Sequence, residues 1–341
     1  MSSSIKVRPM HLESDVPGSV RVLNACDPAD PVTVDELRAE FQRSVPNKIT
    51  RRLVTEDERG TITGYIYVVH SPEAPAHHFY IWMRVDPAQR GRGIGSALWE
   101  AALIFLKEQG ATRVGSEMLD HDAHSLRFAE RRGFTIDRQH FYSTLDLVGF
   151  DETPYLPGIA SLEAQGIRFC SLADFPDNPE TRRKFYELNY AVILDIPGEN
   201  WDYAAYPQFF ERRILGAAWF RRAGQLLAVD GETWAGFASV SLSPETQSAH
   251  NATTGVIRAY RGRKIGLALK VMAARYARQH GARMIRTDND SLNAPILAIN
   301  RKMGYQPQPG TFFLVRWLKE TKEETAENAE STEERADEAP E

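Results

Sequence analysis

Long hydrophobic runs are missing from this 341-residue chain, none approaching the roughly 20 residues that a membrane-spanning helix needs. The opening stretch, MSSSIKVRPM, has no apolar segment of the kind that forms a secretory signal. Cysteine is scarce: only Cys26 and Cys170 occur, one in each half. That excludes a disulfide framework and points to a reducing cytoplasm, with each thiol a small buried or neutral residue rather than a reactive one. A basic stripe is absent as well, which argues against nucleic-acid binding.

The net charge of −5 is unevenly spread. Glu320 to Glu341 holds ten acidic residues against Lys322 and Arg335, a balance of −8, so the rest of the chain carries +3. This tail is nearly devoid of apolar residues and is expected to be disordered, either as a solubilising terminus or as an interaction tail. With 42% apolar and 26% charged residues, the remainder has the composition of an ordinary globular chain.

What the chain does have is one statement made twice. Val85 to Phe134 lies over Val256 to Tyr305 without a gap, at an offset of 171 residues. VDPAQRGRGIGSAL (85–98) meets VIRAYRGRKIGLAL (256–269), Gly110-Ala111 meets Gly281-Ala282, and Gly133-Phe134 meets Gly304-Tyr305. Upstream, Gly60 stands over Gly231. A period this long marks a duplicated domain rather than a solenoid, whose units run to roughly 20–50 residues.

Each copy predicts the order β, α, β-hairpin, β, α, β, α, β. Strands are expected at 5–10 and 166–172, hairpins at 51–56/65–70 and 226–230/237–242, and further strands at 79–85 and 252–257. After the Gly/Arg loop the period changes: Ile94, Ala97, Leu98, Ala101, Ala102 and Phe105 share a helical face, as do Ile265, Ala268, Leu269, Met272 and Ala273. Gly110 and Gly281 are expected to end those helices as left-handed caps. Short strands follow at 112–118 and 283–288, then helices ending at Gly133 and Gly304, then closing strands at 140–147 and 311–318. Residues 149–162, with Pro154, Pro157 and Gly158, read as a linker.

Arg90-Gly91-Arg92-Gly93-Ile94-Gly95 sits between a strand and a helix. Glycines allow close backbone approach, the helix start offers unpaired N–H groups and a positive dipole end, and arginines add charge-assisted hydrogen bonds. Together they describe a pyrophosphate cradle. The Gly-Lys-Ser/Thr ending of a P-loop is missing, and a parallel dinucleotide-binding unit is not indicated.

These residues resemble the GCN5-related N-acetyltransferases (GNAT), whose acetyl-CoA loop reads Arg/Gln-x-x-Gly-x-Gly/Ala, matched by Arg90, Gly93 and Gly95. Gly133-Phe134 after the next helix is also typical. The stretch from Asn293 through Asn300 to Gly304-Tyr305 is similar to the family's NxxMxxxNxxxGF signature. In layout the chain is similar to the two-domain mycothiol synthases, and Leu194-Asp195-Ile196-Pro197 resembles a segment of such tandem proteins. The resemblance implies an α/β (α+β) fold of two tandem GNAT domains, each a mixed, mostly antiparallel, splayed sheet flanked by helices. The domains are expected at 1–148 and 163–318, with 149–162 the linker and 319–341 the acidic tail.

For activity, the resemblance implies transfer of acetyl from acetyl-CoA to a primary amine of a small molecule, without a metal or a membrane partner. A protein or peptide N-acetyltransferase and a non-catalytic acyl-CoA-binding protein are the alternatives. Implied CoA contacts are Met83, Val85, Arg90, Gly91, Arg92, Gly93, Ile94, Gly95 and Ser96 in the first copy. In the second they are Val256, Arg261, Gly262, Arg263, Lys264, Ile265, Gly266, Asn293 and Asn300. Two positions depart from the family. Lys264 replaces the middle glycine of the second loop. Ala129 and Asn300 stand where the family carries the tyrosine that protonates the leaving thiolate, so the thiolate, already a good leaving group, is expected to depart without that donor or with another tyrosine such as Tyr142.

Acylating an amine requires a base, since an ammonium is not a nucleophile. Glu117 and Asp288, equivalent across the repeat, are candidates for base or amine anchor, with a solvated strand end or helix cap as the alternative. Asp120-His121-Asp122-Ala123-His124 reads as a polar loop opening a helix rather than a metal cluster. His77-His78 reads as an exposed loop. Trp201, Tyr203, Tyr206, Phe209 and Phe210 read as core packing or as contacts to the acceptor.

Overall fold

The near-continuous apolar run Ile62–His70 forms a strand buried at all but its last residue, because helices pack on it from both sides. The computed structural model describes residues 5–28, 31–42, 45–72, 74–197 and 206–318. Trp201, Tyr203 and the acidic tail from Glu320 lie outside them. The described residues divide into two compact units, those within 5–118, 122–137 and 313–318 in one, and those within 119–121 and 138–312 in the other.

The first unit begins β1 (Val7–Pro9), α1 (Val16–Cys26), α2 (Val34–Gln42), β2 (Ile49–Glu56), β3 (Ile62–His70) and β4 (His78–Val85). After the Gly/Arg loop come α3 (Ile94–Glu108), β5 (Arg113–Leu119) and α4 (Ala123–Glu130). Strands β1 to β5 lie side by side in chain order, antiparallel except for the parallel pair β4–β5. Helices α1 and α3 both pack on β3, burying Val22, Ile66, Val68, Leu98 and Leu106.

The remaining elements are β6 (Thr135–Asp146), α5 (Leu156–Ala164), β7 (Ile167–Ser171), α6 (Pro179–Ile193), the single turn α7 (Tyr206–Phe209), β8 (Gln225–Asp230), β9 (Thr233–Ser243) and β10 (Ser248–Val256). Then come α8 (Ile265–Gln279), β11 (Met284–Asp290), α9 (Ala294–Met303) and β12 (Gln306–Trp317). In the second unit the strands run β6-β11-β10-β9-β8-β7, and only β10–β11 is parallel. Helices α6 and α8 pack on β9 as α1 and α3 pack on β3. Each unit is thus a mixed, mostly antiparallel sheet flanked by helices, as the family resemblance implied. No helix among the described residues is long and apolar enough to cross a membrane.

Gly110 and Gly281 follow α3 and α8 with φ of +66° and +83°, the left-handed turns expected there. Residues 149–162 are not an extended linker. They carry a 3-10 turn and most of α5, whose Ile159 and Leu162 are buried in the second unit's core. The expected closing strand 140–147 pairs with β11, Asp288 opposite Tyr142. Residues 313–317 of β12 belong to the first unit, where Leu318 N donates to Thr112 O at 2.7 Å and the Arg113 guanidinium lies over the Trp317 ring.

Candidate active site

The two Gly/Arg loops follow the same backbone path. Arg90 and Arg261 are extended, Gly91 and Gly262 both have φ of +78°, and Gly93 at φ +86° is answered by Lys264 at +67°. Lysine thus takes the left-handed turn that its first-copy counterpart leaves to glycine, at a conformational cost of roughly 1 kcal/mol. The change is one of side chain, not of chain path. In both copies the loop runs into the N-terminus of a 15-residue helix, whose first turn of N–H groups has no partner within the helix. An added Cβ at Gly91 or Gly262 would meet nothing within 4 Å, so the loop crowns are open. These residues fit the pyrophosphate of a CoA in either unit.

The arginines are used differently. Arg261 donates to Asp195 at 2.5 Å and to Val256 O at 3.1 Å, while Arg258 also clasps Asp195. The hydrogen bonds from Arg258, seconded by Arg261, hold the Asp195 carboxyl below its usual range. Asp195, from the segment Leu194–Pro197, therefore pins the second loop. In the first copy Ser96 Oγ accepts from Arg132 at 2.7 Å, Val85 O faces the Cys26 thiol at 3.3 Å, and Met83 lines a cavity of about 80 Å³.

That small cavity lies where β4 and β5 part. Their ladder ends at Ile81 and Ser116, and the next residues, Trp82 and Glu117, are joined by a hydrogen bond from Nε1 to Oε1 of 2.8 Å. The space behind is filled by Trp99, Phe128 and Phe134, with the Arg132 guanidinium 3.4 Å from the Phe128 ring centre. Glu117 is thereby committed to an indole.

In the second unit the same place is open. β10 and β11 stay paired only to His250 and Arg286, and β10 carries a bulge between Asn251 and Thr253 against β9. The partner registers show what the bulge does: Ala249 pairs with Ile285 as Phe79 pairs with Val114, an offset of 170 on one strand and 171 on the other. Ala252 is the additional residue. A bulge takes a peptide group out of the ladder and bends its strand. Behind it is a cavity of about 700 Å³, lined by Ala252, Thr253 and Thr254 of β10, Thr287 to Asp290 of β11, Tyr142 of β6, Asn293 and Ile296 of α9, and Lys270 of α8.

Asp288 is half-exposed at this cavity, its Oδ2 2.7 Å from His250 Nε2. Tyr142 is paired with it across the β6–β11 ladder, so this tyrosine belongs to the second unit. Asn293 caps α9, its Oδ1 accepting from Ile296 N at 3.4 Å, and so reaches the cavity rim. Asn300 is buried and does not line the cavity; its Nδ2 donates to Asn289 Oδ1 at 2.7 Å, and Asn289 in turn donates to Ser143 Oγ at 2.9 Å. Asn300 therefore orients a cavity residue, Asn289.

Sequence reasoning missed His250 and Lys270. A histidine on a strand carries no local signal, and Lys270 sat unread on an apolar helical face where the first copy has Trp99. Other expected residues serve structure. Asp122 caps α4 through Ser125 N, and Tyr206, Phe209 and Phe210 pack with Phe185 and Tyr186 in the core.

The chain matches the acetyltransferase (GNAT) family twice, over residues 20–134 and 180–305. It is 26% identical over 226 residues to mycothiol acetyltransferase of Corynebacterium glutamicum strain R, covering 65% of this chain and 70% of that protein. Its fold is similar to that of a GCN5-related N-acetyltransferase from Sphaerobacter thermophilus (TM-score 0.57, 18% identity, 93% and 96% of the two chains). A tandem GNAT protein from the clavulanic acid biosynthesis pathway is also similar (TM-score 0.55, 19% identity, 93% and 100%). With the loop, the parted strands and the helix order repeated in both copies, the chain belongs to the acetyltransferase (GNAT) family as a tandem N-acetyltransferase.

Proposed function

We propose that the chain transfers the acetyl group of acetyl-CoA to a primary amine of a small molecule, and that the transfer takes place in the second unit. The reading rests on one observation: the strands of that unit part around a cavity of about 700 Å³, whereas the first unit's counterpart is bridged and reduced to about 80 Å³. A cavity of the larger size matches sites for small molecules. Relatives carry the name mycothiol acetyltransferase, which agrees with a small acceptor.

In this reading the N–H groups at Ile265 and Gly266, with Arg263 and Lys264, hold the pyrophosphate, and the loop crown at Gly262 gives it room. Val256 and the bulged strand border the acetyl-bearing arm. Asp288, backed by His250, takes the proton from the incoming ammonium, and Tyr142 stands beside it as an amine or hydroxyl contact. The first loop, Arg90 to Ser96, holds a second CoA or serves as a structural copy.

The test compares turnover of acetyl-CoA against an amine panel for wild type, Thr253→Trp and Gly93→Glu. Thr253→Trp gives the second unit the side chain that closes the first, and Gly93→Glu sets a carboxylate against the phosphates at the first loop. Turnover lost in Thr253→Trp and kept in Gly93→Glu supports the second unit. The reverse pattern moves the chemistry to the first. No turnover in wild type with any amine removes the small-amine reading.

A further inference from the structure

Lys270 is fully buried on α8 and is one of the residues that line the larger cavity. Among the described residues no carboxylate pairs with it. Its neighbours are Thr287 Oγ1 at 3.4 Å and the Tyr305 ring, whose centre is 4.7 Å away. Thr287 spends its own hydroxyl proton on Asn251 O at 3.0 Å, so towards Lys270 it can only accept. The first copy puts Trp99 and Phe134 at these two positions, ring against ring at 5.5 Å. An apolar pair thus fills the closed cleft, and a lysine over a tyrosine lies beneath the open one. Buried lysines without a charge partner are costly, and a core that merely needed filling would use the tryptophan.

The reaction creates a demand for such a group. A carbon–nitrogen bond forms to the acceptor, the carbon–sulfur bond breaks, and sulfur leaves with the electron pair as a thiolate. An anion formed in a recess needs a proton or a counter-charge there. The position of the family's hydroxyl donor is held by Asn300, whose amide nitrogen is turned to Asn289 and away from this task.

We propose that Lys270 Nζ is the proton donor to the departing sulfur, an inference that rests on the second unit being the catalytic one. The ammonium passes its proton to the thiolate as the carbon–sulfur bond breaks, the surplus proton of the new amide leaves by way of Asp288, and Lys270 is recharged from solvent through the cavity. Burial pushes the Lys270 amine down to about 7, within reach of a thiol whose ordinary value is about 8.5, so proton exchange between them is close to balanced. The other titratable groups at this cavity are Asp288 and Asp290 of β11, His140 and Tyr142 of β6, and His121, with Tyr305 below. The two aspartates alternate with Thr287 and Asn289 along β11, and Asp290 is engaged by His140 at 2.6 Å. Lys270 meets this strand at Thr287, between neither aspartate and its partner histidine.

The experiment uses CoA itself as the probe and needs no acceptor. Bound CoA is titrated by the ultraviolet absorbance of its thiolate in wild type, Lys270→Met and Lys270→Arg, with calorimetry reporting how much CoA is bound. Gly93→Glu, which sets a carboxylate against the phosphates, removes signal from the first loop in each background. The expected result is a bound thiol at least tenfold more acidic in wild type than in Lys270→Met, with Lys270→Arg restoring the acidity. Lys270→Gln replaces the methionine variant if that does not fold. Equal thiol acidity in wild type and Lys270→Met, with CoA bound to both, overturns the role of Lys270 and leaves the second-unit reading in place. Absence of CoA from the second loop in wild type overturns both together.

Discussion

The indole of Trp82 donates to the carboxylate of Glu117 across the first rung at which β4 and β5 cease to pair. This bond closes in the first unit the gap that stands open in the second. It also divides two carboxylates that the repeat makes equivalent, one tied to an indole and the other, Asp288, to a histidine at a cavity.

Glu117→Gln keeps an acceptor for Trp82 and is expected to leave acetyl transfer within about threefold of wild type. Glu117→Ala removes the acceptor and is expected to lower stability by about 1 kcal/mol. Urea unfolding and steady-state turnover, measured on the same preparations, separate the two effects. A loss of a hundredfold or more in Glu117→Gln would return the chemistry to the first unit.

Asp288→Asn keeps the shape of the side chain and removes its basicity. A fall in kcat/KM for the amine of about 10²-fold is expected, the usual scale for a positioned base. Binding of CoA, followed by calorimetry, is expected to be unchanged. Recovery of turnover at higher pH, where more of the amine is already free, would agree with that assignment. A variant as active as wild type near neutrality would leave Asp288 as a strand end linked to His250.

Lys264→Gly relieves a side chain from a left-handed turn. The folded state gains up to about 1 kcal/mol from the relief, offset in part by the greater freedom of glycine in the unfolded chain. Stability is therefore expected to hold or rise slightly, while affinity for CoA at the second loop falls several-fold with the lost positive charge. Thermal unfolding with and without CoA reads both. Unchanged affinity would show that the lysine points away from the phosphates.

Lys270 also predicts a pH dependence of stability. Its folded-state value lies near 7 against an ordinary 10.5, so between those limits the unfolded chain holds a proton that the folded chain does not. Stability then rises with pH across that window, by at most about 1.4 kcal/mol per unit for this one group, and the contribution is flat below it. Urea unfolding at pH 7 and pH 9 is expected to show the rise in wild type and a smaller one in Lys270→Met. Equal slopes would mean that water reaches the amine.

How far the sequence could be read depended on what local pattern encodes. The loop, its helix and the glycine caps follow from short-range conformational rules, so Gly91, Gly93, Gly110 and Gly281 were legible. The bulge at Ala252 was not: the alignment keeps its offset of 171 at Gly60 and again from Val85 onward, so the added residue is absorbed between these anchors. Asn300 was legible as part of a motif, yet its role depends on Asn289 and Ser143, which only the β6–β11 pairing brings near. That Tyr142 stands opposite Asp288 was hidden for the same reason, since strand partnership is a long-range property. The helix within 149–162 was not legible because Pro154, Pro157 and Gly158 suggest a break, whereas a proline in a helix's first turn favours its start, and Ile159 and Leu162 had a core to enter.

The membership of residues 313–318 in the first unit bears on how the protein is made. A chain emerging from the ribosome displays β1 to β5 and α4 long before the segment that lies beside β5 exists. Until Leu318 has cleared the exit, the edge next to Thr112 is an unpaired strand border of the kind that recruits foreign chains. The first half to be synthesised is thus the last to be finished, and a stop codon a few residues before Trp317 would injure the beginning of the protein more than its end.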